Sequence, residues 1–323
     1  MINMKIVKNI KQIADLTTAT LLLAIISLCI IFCFLSPAFL TISNILTIFR
    51  IIPTLLVFAL GINCLLIIGE IDLSFTSVAN LVGIIIALLS ARLNGVIAIL
   101  ISGLIAAGIG LINGLCTCRL RIPSFLTTLG TMVLTQGTAY LISRYRSHPI
   151  RTMALQIIFR TPLPGGLDIS IFWALGILLI IHFILTRTRF GRYMYAIGGN
   201  ETAAQLLGLP VYKIKVTLFV INSLMAAIAA WLALGRVVSA VPNFAQIYLM
   251  PAIAAAVLGG ASLTGGEGSA IKTAVAVILL RLIVQGFNLI GLDPATHDIA
   301  SGVVLILTLG IRRILRISKQ PAS

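Results

Sequence analysis

The sequence predicts an all-α, polytopic membrane protein of about ten transmembrane helices with weak internal duplication, on three observations. Of its 323 residues, 59% are hydrophobic and only 10% are charged, and the mean hydropathy is +1.15, far from the values of a soluble domain. Apolar stretches of about 20 residues, the length a helix needs to cross a bilayer, recur along the whole chain. Basic residues collect at the ends of these stretches, where they anchor and orient a membrane protein.

Taken in order, a short segment 1–15 carrying Lys5, Lys8 and Lys11 precedes the first apolar run, 16–35. That run is too long for a signal peptide and no small-residue cleavage site follows, so a retained first span is expected. Further spans are expected at 45–68, 74–91, 95–116, 122–143, 169–186, 216–235, 251–263, 269–290 and 299–311, followed by a tail at 312–323. Together they make a transmembrane region over 16–311. The eighth span is short and reads as broken or re-entrant. Glycine and proline punctuate the spans, as membrane helices tolerate.

Charge gives an orientation. With the N-terminus inside, fifteen basic residues fall on the inner side, including Lys5, Arg119, Arg187, Arg189, Arg192, Lys213, Lys215, Arg312 and Arg313. Seven fall outside, and Arg281 lies mid-span. Both termini are therefore expected in the cytoplasm. The net charge of +15 does not indicate nucleic-acid binding, because the basic residues are scattered over the span ends instead of forming one patch.

Two loops stand out. The external loop 144–168 holds Arg144, Arg146, Arg151 and Arg160 among several prolines. It suits either an acidic soluble partner or lipid headgroups, and charge alone leaves both open. The loop 187–215 is a polar insert between two apolar runs, bracketed by Arg187, Arg189, Arg192, Lys213 and Lys215. A segment this polar has no place in hydrocarbon, so it is expected in the cytoplasm, able to receive a force or a signal. Within it, Asn200 suits a helix N-cap, Glu201 favours the positive helix start, and Gly208 suits the C-terminal turn. The small Ala203 and Ala204 would let a partner approach closely.

Polar groups inside or at the ends of spans are costly, a charge at the bilayer centre by about 2.5–3.5 kcal/mol or more. Glu70 and Asp72 close the second span, Arg281, Gln285 and Asn288 share one face of the ninth, and Asn113, Gln136 and Asn222 add neutral groups. They read either as the lining of a hydrophilic solute path or as hydrogen bonds between helices; for Arg281 a buried structural pairing is favoured. An internal echo, Ile68–Ser74 against Leu258–Thr264 at an offset of 190, closes an apolar run each time.

Other chemistry is excluded. The five cysteines form no Cys-x-x-Cys pair, and His148, His182 and His297 are isolated, so no metal site is expected. The stretch Gly266–Thr273 approaches a P-loop, but Ile271 stands where the glycine before lysine belongs. No ATP hydrolysis is expected of this chain, nor any catalytic residue.

Gly69-Glu70-Ile71-Asp72-Leu73-Ser74 and the stretch Ile122–Thr131 resemble the permease subunits of bacterial ABC importers for monosaccharides of the ribose, xylose and arabinose type. So do Arg189-Phe190-Gly191-Arg192, Tyr195–Glu201, Ala252–Gly260 and Leu263–Ser269, in matching order from about residue 36 to 310. The resemblance implies a permease paired with a second copy or paralogue, two cytoplasmic ATP-binding subunits that hold ATP and Mg, and a periplasmic sugar-binding protein. It further implies that Asn200, Glu201, Ala203, Ala204 and Gly208 form a coupling helix that docks on the ATPase, with alternating access as the mechanism. The chain departs from the pattern at Glu70, where glycine is commoner, and at Leu207, where a small or polar residue is usual. An ion-coupled secondary transporter, using Asp72 or Glu70 as its titrating group, is the competing class. A permease for autoinducer-2 or for a branched-chain amino acid is the alternative within ABC importers. A non-transporting receptor is disfavoured by the many intramembrane polar residues.

Overall fold

In the computed structural model, residues 2–293 and three isolated positions beyond them are described, with side chains from Thr18 onward. Of the expected tenth span, 299–311, Ile299 and Gly302 alone are described, and the tail 312–323 and His297 lie outside the described residues.

The elements follow the apolar runs. Helix α1 (Ile2–Leu35) is followed by a single 3-10 turn and then α2 (Ile42–Ile67), which Thr41 caps by accepting from the Asn44 amide. Next come α3 (Phe75–Leu89), α4 (Gly95–Cys118) and α5 (Ser124–Ser143). The segment 144–168 folds into β1 (His148–Pro149) and α6 (Ala154–Phe159), and α7 (Ser170–Arg187) follows. The polar insert makes two short helices, α8 (Arg189–Gly199) and α9 (Glu201–Leu206). Then come α10 (Val211–Val237), β2 (Ser239–Ala240), α11 (Leu249–Leu258) and α12 (Ala270–Leu289).

Nine of the ten expected spans thus have a helical counterpart. Six of them, in α1, α2, α4, α7, α10 and α12, are long and apolar enough to cross a membrane. Helices α3 and α11 are shorter. At 1.5 Å per residue the ten residues of α11 reach only about 15 Å, half a bilayer core. The eighth span is short, as expected, and the third is shorter than expected.

Helix α2 is the shaft of the bundle. Every residue from Ile52 to Ile68 is buried, because α10, α12, α11 and α7 pack around it. A helix apolar on all sides belongs in such a place. Helix α1 is the opposite: it packs on α12 through Phe32, against Phe39 and Phe287, and leaves Leu23, Phe34 and Leu35 exposed.

Helices α4 and α10 make the most intimate pair. A Cβ on Gly110 would lie 2.6 Å from the Phe219 carbonyl oxygen, and one on Gly114 2.9 Å from the Val216 Cα. Small residues four apart let two backbones meet, the usual solution where lipid removes any hydrophobic drive between helices.

The sequence echo is also an echo in structure. After α2, the Glu70 amide donates to Leu65 and the Gly69 amide to Leu66; after α11, Ala261 donates to Ala256 and Gly260 to Val257. Gly69 (φ +77°) and Gly260 (φ +98°) take the left-handed position that such helix ends require. In the turns that follow, Asp72 accepts from the Ser74 amide and Ser262 from the Thr264 amide. The turns keep the offset of 190; the glycine caps are one residue further apart.

Substituting Gly110→Val is expected to destabilise the purified protein by about 1–3 kcal/mol through overpacking, read as a lower melting temperature in detergent. Gly108→Val, at a position with nothing within 4 Å, is the matched control and is expected to be near neutral.

Candidate functional site

Two regions concentrate the polar groups: a buried network among α3, α4, α5 and α10, and the end of the bundle that carries α8 and α9.

The network centres on Asp72, which is fully buried. Its carboxylate accepts from the Ser74 amide (2.7 Å), the Ser74 hydroxyl (2.6 Å) and Asn222 Nδ2 (2.8 Å). Asn113 donates to Ser74 Oγ (2.9 Å), and Thr131 donates to Asn113 Oδ1 (2.6 Å). Ser124 and Thr128 of α5 accept from the Ile71 and Leu73 amides, so the α2–α3 turn is stitched to α5. One level away, Asn80 donates to Gln136, Gln136 donates to the Pro242 carbonyl, and the Ala245 amide donates to Asn80. Gln285 of α12 donates to Asn44 of α2.

Of the two readings of these polar groups, the structure displays hydrogen bonding between helices for most of them. Asp72, Asn113 and Asn222 are enclosed and their polar atoms are satisfied by protein, which is the alternative of hydrogen bonding between helices. Gln136 and Gln285 are likewise engaged with protein partners. Asn288 is exposed on the far part of α12. Among the described residues Arg281 meets a ring: its guanidinium lies 5.1 Å from the Tyr248 centroid, a cation–π contact.

At the α8–α9 end three backbone segments meet without side chains between them. The Gly266 amide donates to the Ile67 carbonyl at 2.8 Å. A Cβ on Gly198 would fall 1.8 Å from that same carbonyl oxygen and 2.5 Å from the Gly266 nitrogen. Tyr195 donates from its hydroxyl to the Gly268 carbonyl (2.9 Å), and burial pushes its phenol up to about 12, so it remains a donor. The near-P-loop stretch is therefore part of this junction; the Gly266 amide is spent on Ile67. Helix α8 faces the core with Gly191, Met194 and Ile197, a helical period hidden in the sequence by the polar residues between them.

Helix α9 is built as its residues suggest. Asn200 Oδ1 accepts from the Ala203 amide (2.9 Å), and Gly208 (φ +74°) ends the turn as Leu209 donates back to Ala204. Ala203 is exposed, whereas Ala204, expected to face a partner beside it, is only 2% exposed and packs inward. The outward apolar groups are instead Leu206 and Leu207, 85% and 79% exposed. Sequence reading missed Lys215, whose ammonium lies 2.6 Å from Glu70 and 2.7 Å from Glu201. In the sequence it is a flanking basic residue, and no local pattern links it to a glutamate 145 positions away.

At the opposite end, Arg144, Arg146, Arg151 and Arg160 are all exposed. Arg160 donates to the Arg236 carbonyl, while Arg50 pairs with Asp168 at 3.6 Å and donates to the Gly166 carbonyl. The segment 144–168 is thus held on the bundle, helped by β1 pairing with β2.

Residues 44–309 match the family described as branched-chain amino acid transport system / permease component. The chain is 32% identical to the ribose import permease protein of Escherichia coli (strain K12), over 89% of this chain and 91% of that protein. It is 30% identical to the xylose/arabinose import permease protein of Sulfolobus acidocaldarius, over 93% of this chain and 86% of that protein. It is 31% identical to the L-arabinose transport system permease protein of Escherichia coli (strain K12), over 74% and 73%. No solved structure matches the chain.

Two substitutions test the site's construction. Asp72→Ala would leave buried donors of Ser74 and Asn222 without an acceptor, and is expected to cost about 2 kcal/mol or more, measured as lost melting temperature. Gly198→Ala should lower the yield of folded protein, and Gly199→Ala, which meets nothing within 4 Å, should not.

Proposed function

The chain belongs to the family of branched-chain-type transport system permease components, and from that premise we propose that it is the membrane-spanning subunit of an ATP-driven importer of a monosaccharide, a pentose or a hexose. The observation that carries the substrate class is the likeness to ribose, xylose and arabinose permeases over most of the chain. The family description names branched-chain amino acids, and these form the comparison class in the test below.

In this reading two copies, or this chain and a paralogue, form the path; two ATP-binding subunits drive it; and a soluble binding protein delivers the sugar. Both termini and the α8–α9 end then lie in the cytoplasm of an inner-membrane protein; the support is the clustering of Arg187, Arg189, Arg192, Lys213 and Lys215 around that end. Helix α9 is the contact with the ATPase. Its support is an exposed, capped, short helix whose Leu206 and Leu207 project where a soluble chain has no reason to spend two leucines. The exposed Arg144, Arg146 and Arg151 at the other end are the surface for an acidic face of the binding protein. ATP-driven closure of the ATPases would displace α9 and tilt the helices joined to it, opening the path to one side at a time. This chain supplies a path and a lever, with ATP and Mg held elsewhere.

The test is reconstitution with the cognate ATPase and binding protein in proteoliposomes. Uptake of ribose, xylose or arabinose that requires ATP inside the vesicle, with leucine ignored, is the expected result. Uptake driven by a proton gradient without ATP would overturn the reading in favour of a secondary transporter. Ala203→Arg should abolish binding-protein-stimulated ATP hydrolysis while the permease still inserts.

A further inference from the structure

Lys215 is 8% exposed, yet its ammonium has two carboxylate partners from distant parts of the chain. Glu70 lies just beyond the end of α2, Glu201 opens α9, and Lys215 sits in the second turn of α10. A lysine drawn this far from water is stable only with its donors engaged. Two carboxylates on one ammonium hold each other in place through it: without Lys215 they would face one another as like charges. The two limbs differ in setting. Glu70 has 12% of its side chain exposed and Glu201 44%, so water competes for the α9 limb more than for the α2 limb.

We propose that Glu70, Lys215 and Glu201 form an ionic clasp that positions α9 against the ends of α2 and α10, so that a displacement of α9 moves both helices together. The proposal rests on α9 being the ATPase contact. The Gly198 junction fixes α8 to α2; α9 runs on into α10 and packs Ala204 inward, and the clasp adds a tie from its first residue to the end of α2. Helix α10 carries Asn222, bonded to Asp72, and α2 is the buried shaft, so a force arriving at Glu201 through Lys215 enters the shaft and the helix tied to the Asp72 network. Glu70, Lys215 and Glu201 are positioning residues; none need touch the sugar or the nucleotide.

The clasp is tested in the complete complex with ATPase and binding protein in proteoliposomes, measuring ribose, xylose and arabinose taken up per ATP hydrolysed. Glu70→Gln and Lys215→Met should lower this ratio about tenfold, within the range by which residues between coupled sites alter coupling, while ATP hydrolysis continues and the amount of assembled complex is unchanged. Lys215→Arg, which keeps a cation for both carboxylates, should retain most of the ratio. An unchanged ratio in both disruptive variants overturns the clasp, as does a fall in assembled complex that accounts for all lost uptake. Leu206→Asp separates the two claims. If it uncouples hydrolysis and Glu70→Gln does not, the clasp alone fails; if Leu206→Asp also leaves coupling intact, the ATPase contact at α9 fails and the clasp with it.

Discussion

The bundle depends on one contact made entirely of backbone. At the end of α2 the Ile67 carbonyl has no further helical partner, and it is satisfied by the Gly266 amide from the loop after α11. Gly198 lies across the same carbonyl with no room for a Cβ. One carbonyl therefore fixes the first half of the chain, the second half and the α8 helix between them. Hydrogen bonds to an unpaired helix end are worth most where water is scarce, since the alternative is an orphaned carbonyl. Glycine is required here because only the absence of a side chain lets three backbones share one point.

Around this junction the polar interior does structural work that its composition disguises. Asp72, Ser74, Asn113, Thr131 and Asn222 form a closed set of donors and acceptors between α3, α4, α5 and α10. Such a set ties helices that van der Waals contact alone would leave free to slide. Its members are buried, with donors and acceptors turned toward one another. The groups left able to meet solvent lie at the two ends of the bundle, where partners would bind.

Much of this was legible in the sequence, for identifiable reasons. Span positions follow from the length of apolar runs, because the bilayer imposes one dimension on all of them. The Asn200 cap and the Gly208 stop are local events, readable within three or four residues. The repeated helix end was visible as well, although the pairing of letters placed the glycines one position off; the left-handed backbone, not the residue name, sets the true correspondence. What could not be read depends on residues far apart. Lys215 finds Glu70 across 145 positions, and Gly198 finds Ile67 only after seven helices have packed. The inward turn of Ala204 could not be read because the inward face of a six-residue helix cannot be told from its outward face by composition, whereas Leu206 and Leu207 look like core residues and are exposed.

The complete enclosure of α2 has a consequence for how the chain is made. Its neighbours α10, α11 and α12 are encoded well over a hundred residues later, so at about 5–20 residues per second α2 waits roughly ten to forty seconds for its permanent surroundings. During that interval lipid, or the insertion machinery, must cover faces that end up touching only protein, including Asn63 in its last turns. The helix therefore has to satisfy two solvents in succession. The apolar run from Leu55 to Ile62 is what the first demands, and the close approach of Asn222 at Gly61, with no room for a Cβ, is what the second demands.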